Sequence, residues 1–234
     1  LEAASTPRTR GLMLNSPCNP TGAVYSRDEL AALVEYAQER GWWVISDEIY
    51  RELYYSHDRP ESAATFYDRT IVISGLSKSM SMTGWRLGWM AGDRAVIRSS
   101  LVLHGYVTTC ASTISQKASL VSWTDEAEQA RKDFRKTFAS RRTHLLETIE
   151  SELKVESVAP EGAFYTMLNV GAFGPSMKVA EALLAEGVTT VPGGAFGSES
   201  EGFLRVSFCA DLDVLTEGVR RIKRGLQKLV SDTL

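Results

Sequence analysis

The sequence predicts an α/β fold built on a mostly parallel sheet, and three observations carry that prediction. Short, nearly unalternating apolar runs recur at Leu12–Leu14, Trp43–Ile45 and Ile71–Ile73, the pattern of strands covered on both faces. A capped amphipathic helix separates the first two, which makes a strand–helix–strand unit. Each run is then followed by chemically useful polar side chains: Asn19, then Asp47 and Tyr50, then Lys78. The spacing is about one strand plus one connection, so Asn19, Asp47 and Lys78 fall at the carboxyl ends of neighbouring strands, where open α/β sheets bind ligands.

Each element has its own justification. After the first strand, Ser26 and Glu29 form a capping box for a helix over Ser26–Arg40, with Leu30, Leu33, Val34 and Ala37 on one stripe. Gly41 stops it. Ile71–Ser74 and Leu87–Ala91 extend the sheet. Thr124–Leu153 reads as one long helix, with Asp125, Glu126 and Glu128 in the first turn to match the helix dipole. Its length marks a spine joining two domains. A strand over Lys154–Val158, a turn at Pro160–Gly162 and a strand over Ala163–Val170 follow. The remainder reads as a helix over Ser176–Glu186, a short strand over Val188–Val191, a glycine-rich loop, a strand over Phe203–Phe208 and a helix over Asp211–Val230. There is no internal repeat or low-complexity segment.

Composition excludes several function classes. The 234 residues suffice for one large or two modest domains, and 44% hydrophobic content supports a real core. A net charge of −3 gives no basic field for nucleic acid or an anionic membrane. Apolar runs such as Trp42–Ile45 fall far short of a membrane span, and the polar opening Leu1–Arg10 lacks the apolar core of a secretory signal. Cys18, Cys110 and Cys209 are odd in number and widely spaced, which favours reduced thiols in a cytoplasmic protein. His57, His104 and His144 are isolated from each other and from the cysteines, so no metal site is expected.

The segment SGLSKSMSMTGWRLG (Ser74–Gly88) is the most informative. A lone lysine is usually a surface residue. Lys78, placed just past a buried strand among small residues, suits a lysine that carries a cofactor covalently. Serine and glycine leave room for a planar ring, and Arg86 can hold an anionic group nearby. With NPTG (Asn19–Gly22), the Asp47/Tyr50 pair and Arg205 in FLRVSFC, this segment follows the order of motifs in the class I/II aminotransferases. The chain resembles that family of fold type I pyridoxal-phosphate enzymes from about Arg10 to near its C-terminus.

The resemblance implies the C-terminal part of a large cofactor-binding domain over residues 1–130, and a smaller αβ domain over 131–234. It implies pyridoxal 5′-phosphate as cofactor, with Lys78 as its covalent attachment point and later as general base and acid. Asp47 would pair with the protonated pyridine nitrogen. Tyr50 and Asn19 would bond the phenolic oxygen, favouring the phenolate. Arg86, with Ser77, would hold the phosphate. Arg205 would grip the substrate α-carboxylate in fork geometry, because an arginine within an apolar strand calls for an anionic partner. A structural Asp or Glu is the competing partner for Arg205. PGGAFG (Pro192–Gly197) lacks dinucleotide-site spacing and reads as lining the substrate entrance.

The expected reaction moves an amino group between an amino acid and a 2-oxo acid, with aspartate- or aromatic-type substrates favoured. A homodimer is expected, with Thr108–Ser115 resembling the segment that faces the partner subunit. That segment has no arginine to select dicarboxylic substrates. A carbon–sulfur β-lyase on the same scaffold is an alternative, as is the sensor domain of a transcription regulator. In the resembled family a substantial part of the fold precedes NPTG, including a phosphate loop and an aromatic that stacks on the cofactor. Only eighteen residues precede Asn19 here. The expectation is therefore a piece of that fold, inactive by itself.

Overall fold

The computed structural model describes residues 1–55 and 58–231; the expectation for His57 lies outside them. The chain divides into two compact units. One holds Leu1–Pro17 and Val24–Asp133, the other Cys18–Ala23 and the chain from Phe134 on.

The first unit is built on a four-stranded sheet of β1 (Gly11–Asn15), β2 (Trp43–Asp47), β3 (Thr70–Gly75) and β4 (Gly88–Ala91), in that order. β1, β2 and β3 run parallel, and β4 is antiparallel to β3. Helix α1 (Arg27–Glu39) connects β1 to β2. Its capping box forms as the sequence predicts: Ser26 accepts from the Glu29 backbone N–H, and the Glu29 carboxylate accepts from the Ser26 N–H at 2.9 Å. Its buried residues Leu30, Val34 and Ala37 pack with Leu14, Trp42, Val44 and Ala63 into one core under a single face of the sheet.

The other face differs from expectation. Met13 and Ile45 are register partners, as are Asp47 and Ile73. Alternation puts all four on one face. Met13 is 71% exposed and Ile73 39%, so this sheet is covered on one face among the described residues, not on both. Two helices that the sequence reading did not anticipate follow β4. These are α3 (Arg94–Val107), capped by Asp93 Oδ1 accepting from Ala95 N and Val96 N, and α4 (Thr113–Ser119), capped by Ser112. The apolar residues of α3 form no inward stripe: Leu101, Val102, Leu103, Tyr106 and Val107 are all exposed.

Helix α5 (Asp125–Glu152) has the predicted acidic first turn, and the boundary between the units falls within it. The second unit carries an antiparallel sheet of β5 (Tyr165–Asn169), β7 (Phe203–Ser207) and β6 (Val191–Pro192), with β7 in the centre. Helices α6 (Ser176–Ala185) and α7 (Leu212–Ser231) pack on each other. In α7, Leu215, Val219, Ile222 and Leu226 recur at helical spacing and are all buried.

Two predicted strands here are corrected. Lys154–Val158 makes only the isolated bridge Ser157↔Leu168, because Pro160 ends the segment before a ladder can form. Val188–Val191 is reduced to β6. Gly187 at φ +77° turns the chain out of α6, and Pro192 has no N–H to extend the pairing. Among the described residues no group of His, Cys, Asp and Glu could hold a metal, and no helix is long and apolar enough to cross a membrane.

Candidate active site

In the first unit, the site residues sit where β2 and β3 end. Asp47 closes β2, half-buried, and its Oδ1 accepts from Ile49 N at 3.1 Å. This local turn, of a kind aspartate favours, carries the chain to Tyr50, which is only 4% exposed. Lys78 lies in the four-residue helix α2 (Leu76–Ser79) that follows β3 directly. It is half-buried, and its Nζ is 5.9 Å from the Tyr50 ring centroid. Adjacent parallel strands thus bring together two groups distant in sequence.

Glu48 was not anticipated as part of this arrangement. It is 4% exposed, and its Oε1 accepts from Ser46 Oγ at 3.0 Å, Ser62 Oγ at 2.7 Å and Ala63 N at 3.2 Å. A buried carboxylate so fully bonded anchors the Asp47–Tyr50 turn to the core beneath it. Ser77 is half-buried in α2. Arg86 follows the turn Thr83–Trp85 with a left-handed backbone at φ +51°, and its exposed guanidinium donates to Thr83 O at 2.9 Å. That backbone costs a non-glycine residue roughly 1–2 kcal/mol, strain of a kind that accumulates at ligand sites.

In the second unit, the NPTG turn is locked in place. Gly22 has φ +72°, and a Cβ there would strike the Pro160 side chain and lie 2.9 Å from Gly162 O. Its carbonyl accepts from Glu161 N and Gly162 N. Asn19 in this turn accepts a 2.6 Å hydrogen bond at Oδ1 from Arg205 Nη1. Arg205 lies in the central strand β7, opposite Met167 of β5 and Val191 of β6. Among the described residues no Asp or Glu forms an ion pair with Arg205. Its guanidinium carbon lies instead 4.3 Å from the Tyr165 ring centroid and 5.1 Å from that of Phe196. Tyr165 was not singled out from the sequence; Phe196 lies in the loop Pro192–Gly197 that the sequence reading assigned to the substrate entrance.

The structure thus joins the predicted residues in two pairs, Lys78 with Tyr50 and Asn19 with Arg205, while Arg86 bonds its own turn. The family model for aminotransferase class I and II matches residues 1–222. The chain belongs to this family. Class I and II aminotransferases are pyridoxal-phosphate enzymes of fold type I, and the α/β fold with its mixed, mostly parallel sheet agrees with that.

Among curated aminotransferases, the chain is 40% identical over 227 residues to a probable N-acetyl-LL-diaminopimelate aminotransferase of Bacillus subtilis, covering 95% of this chain and 57% of the relative. It is 36% identical over 226 residues to the aspartate/prephenate aminotransferase of Thermus thermophilus, covering 95% of this chain and 58% of the relative. Among solved structures, the aromatic aminotransferase from Pyrococcus horikoshii superposes with a TM-score of 0.91 at 34% identity, covering 97% of this chain and 62% of that one. The chain therefore spans under two thirds of the length of the aminotransferases it matches.

Proposed function

We propose that this chain is the part of a pyridoxal-phosphate-dependent aminotransferase that carries the cofactor lysine and the substrate-carboxylate arginine. The observation that carries this reading is the Lys78 amine set against the buried Tyr50 ring, one strand away from Asp47. The donor set fits the cofactor: an amine for its carbonyl, a carboxylate for its ring nitrogen, a phenol for its phenolic oxygen and a guanidinium for its phosphate.

When bound, pyridoxal phosphate supplies a carbonyl that condenses with amines and a ring that withdraws electrons from the substrate α-carbon. The side chains supply the rest. Lys78 Nζ would hold the cofactor and, once released by substrate, would serve as the base and then the acid for the substrate α-carbon proton. Asp47 would keep the ring nitrogen protonated, while Tyr50 and Asn19 would hydrogen-bond the phenolic oxygen. Arg86 and Ser77 hold the phosphate. Arg205 takes the substrate α-carboxylate, a role supported by its lack of an acidic protein partner among the described residues. The amino donor is of aspartate or aromatic type, in keeping with relatives such as the Thermus aspartate/prephenate and Pyrococcus aromatic aminotransferases. The enzyme is a cytoplasmic homodimer in this reading.

The test uses the full-length protein with pyridoxal phosphate and a panel of aspartate, tyrosine and phenylalanine, each paired with 2-oxoglutarate. Transfer should be seen for at least one pair, with Lys78→Ala slower by about 10³-fold or more, the range of general acid–base and covalent contributions. Release of pyruvate and ammonia from a cysteine S-conjugate, with no amino transfer across the panel, would instead assign a carbon–sulfur lyase, and no loss in Lys78→Ala would overturn the reading.

A further inference from the structure

Arg205 is held by more than its hydrogen bond to Asn19. Tyr165 opens β5, and its register partner on β7 is Ser207, whereas that of Arg205 is Met167. Tyr165 and Met167 share a face of β5, so Tyr165 is the diagonal neighbour of Arg205 across the antiparallel pair, within reach of an aromatic ring. That ring is 9% exposed, and therefore fixed by packing. Phe196 arrives from the other side of β7, on the turn Gly193–Phe196 that follows β6.

This turn is not free to wander. Gly193 is buried, and a Cβ there would collide with Ser200 O and sit 2.7 Å from Phe203 O. The end of the loop is clasped to α6. The Glu201 carboxylate accepts from the Ser176 backbone N–H at 2.7 Å and from its hydroxyl at 2.9 Å, and Ser176 is 1% exposed. The loop thus presents Phe196 to Arg205 from a braced backbone.

Rings placed against a guanidinium attract it through their quadrupoles without using its in-plane N–H donors. They restrict its rotamers before any ligand arrives, while its donors stay directed along the edge that a carboxylate would meet. We propose that Tyr165 and Phe196 are positioning residues that fix the Arg205 guanidinium and so set the affinity for the substrate α-carboxylate. This rests on the role assigned to Arg205 above. In this role the rings act through the arginine.

The test uses the full-length holoenzyme, the substrate pair with the highest kcat/KM from the panel, and maleate as a non-reacting carboxylate probe. Tyr165→Leu should raise both KM values and the Kd of maleate about tenfold, the size of one desolvated cation–π contact, with kcat within about twofold. Tyr165→Phe, which keeps the ring, should stay near the parent. Phe196→Leu should shift the same constants by a few-fold, with Phe196→Tyr restoring them. If Tyr165→Leu does not fold, the Phe196 pair decides. Unchanged KM and Kd in the leucine variants, or a Tyr165→Phe variant as impaired as Tyr165→Leu, would overturn the inference. Arg205→Lys separates this from the parent reading. If it leaves the maleate Kd unchanged, the carboxylate role of Arg205 itself fails; if it weakens binding while the ring variants do not, only the positioning role fails.

Discussion

Arg205 Nη1 donates to Asn19 Oδ1 at 2.6 Å, linking the central strand of the second unit to a turn 186 residues earlier in the chain. The bond has a charged donor and is half-buried.

Asn19→Ala removes the acceptor and should destabilise the chain by about 1.5 kcal/mol, the low end for a bond to a charged group because the site is partly exposed. In the full-length enzyme it should raise KM about tenfold. Asn19→Asp keeps an acceptor but adds a carboxylate that competes with substrate for Arg205, so its KM should rise further while its stability recovers. Urea unfolding and steady-state kinetics on the two variants check this. A lower KM in the aspartate variant would show that Arg205 does not receive the substrate carboxylate.

Glu48 carries a structural consequence. Removing its side chain leaves Ser46 and Ala63 donors buried without a partner, at about 1–3 kcal/mol for the unpaired groups together with a cavity term. Glu48→Ala should therefore lower the unfolding free energy by about 3 kcal/mol. Glu48→Gln keeps one oxygen acceptor and should lose less than half of that. Equal losses in the two variants, measured by chemical denaturation, would mean the hydrogen bonds do not anchor the turn.

The clasp between Glu201 and Ser176 gives a pH dependence. The Ser176 backbone N–H, then its hydroxyl, holds the Glu201 carboxylate below its ordinary range. A carboxylate depressed in the folded state contributes stability that is fully present above its unfolded value, about 4.3. That contribution is lost as pH falls through the lower folded value. The protection of the Ser176 and Gly194 amides, measured against their intrinsic exchange rates at each pH, should therefore fall below about pH 4, and Glu201→Gln should remove that pH step. A step of equal size in the glutamine variant would assign it to another group.

Much of this arrangement was legible in the sequence because local rules and tertiary packing agree there. The capping box at Ser26 and Glu29, the stripe Leu30–Val34–Ala37 and the three parallel strands all formed at or near their predicted bounds. α3 was missed in the sequence, and in the structure its Leu101, Val102, Leu103, Tyr106 and Val107 are exposed. The strands over Lys154–Val158 and Val188–Val191 were over-read, because apolar content marks an extended segment without saying whether a ladder continues past Pro160 or Pro192. Of the chemical groups, Lys78, Asp47, Asn19 and Arg205 announce themselves by type and setting. Tyr165 and Phe196 do not, because their significance depends on which cation they touch, and that depends on β-sheet register.

The most direct test of the central claim is borohydride reduction of the full-length holoenzyme, followed by peptide mass spectrometry. The reduced cofactor should appear on the peptide containing Lys78 and be lost from that peptide in Lys78→Ala. Cofactor found on a different lysine of the unaltered protein, or on none, would contradict it.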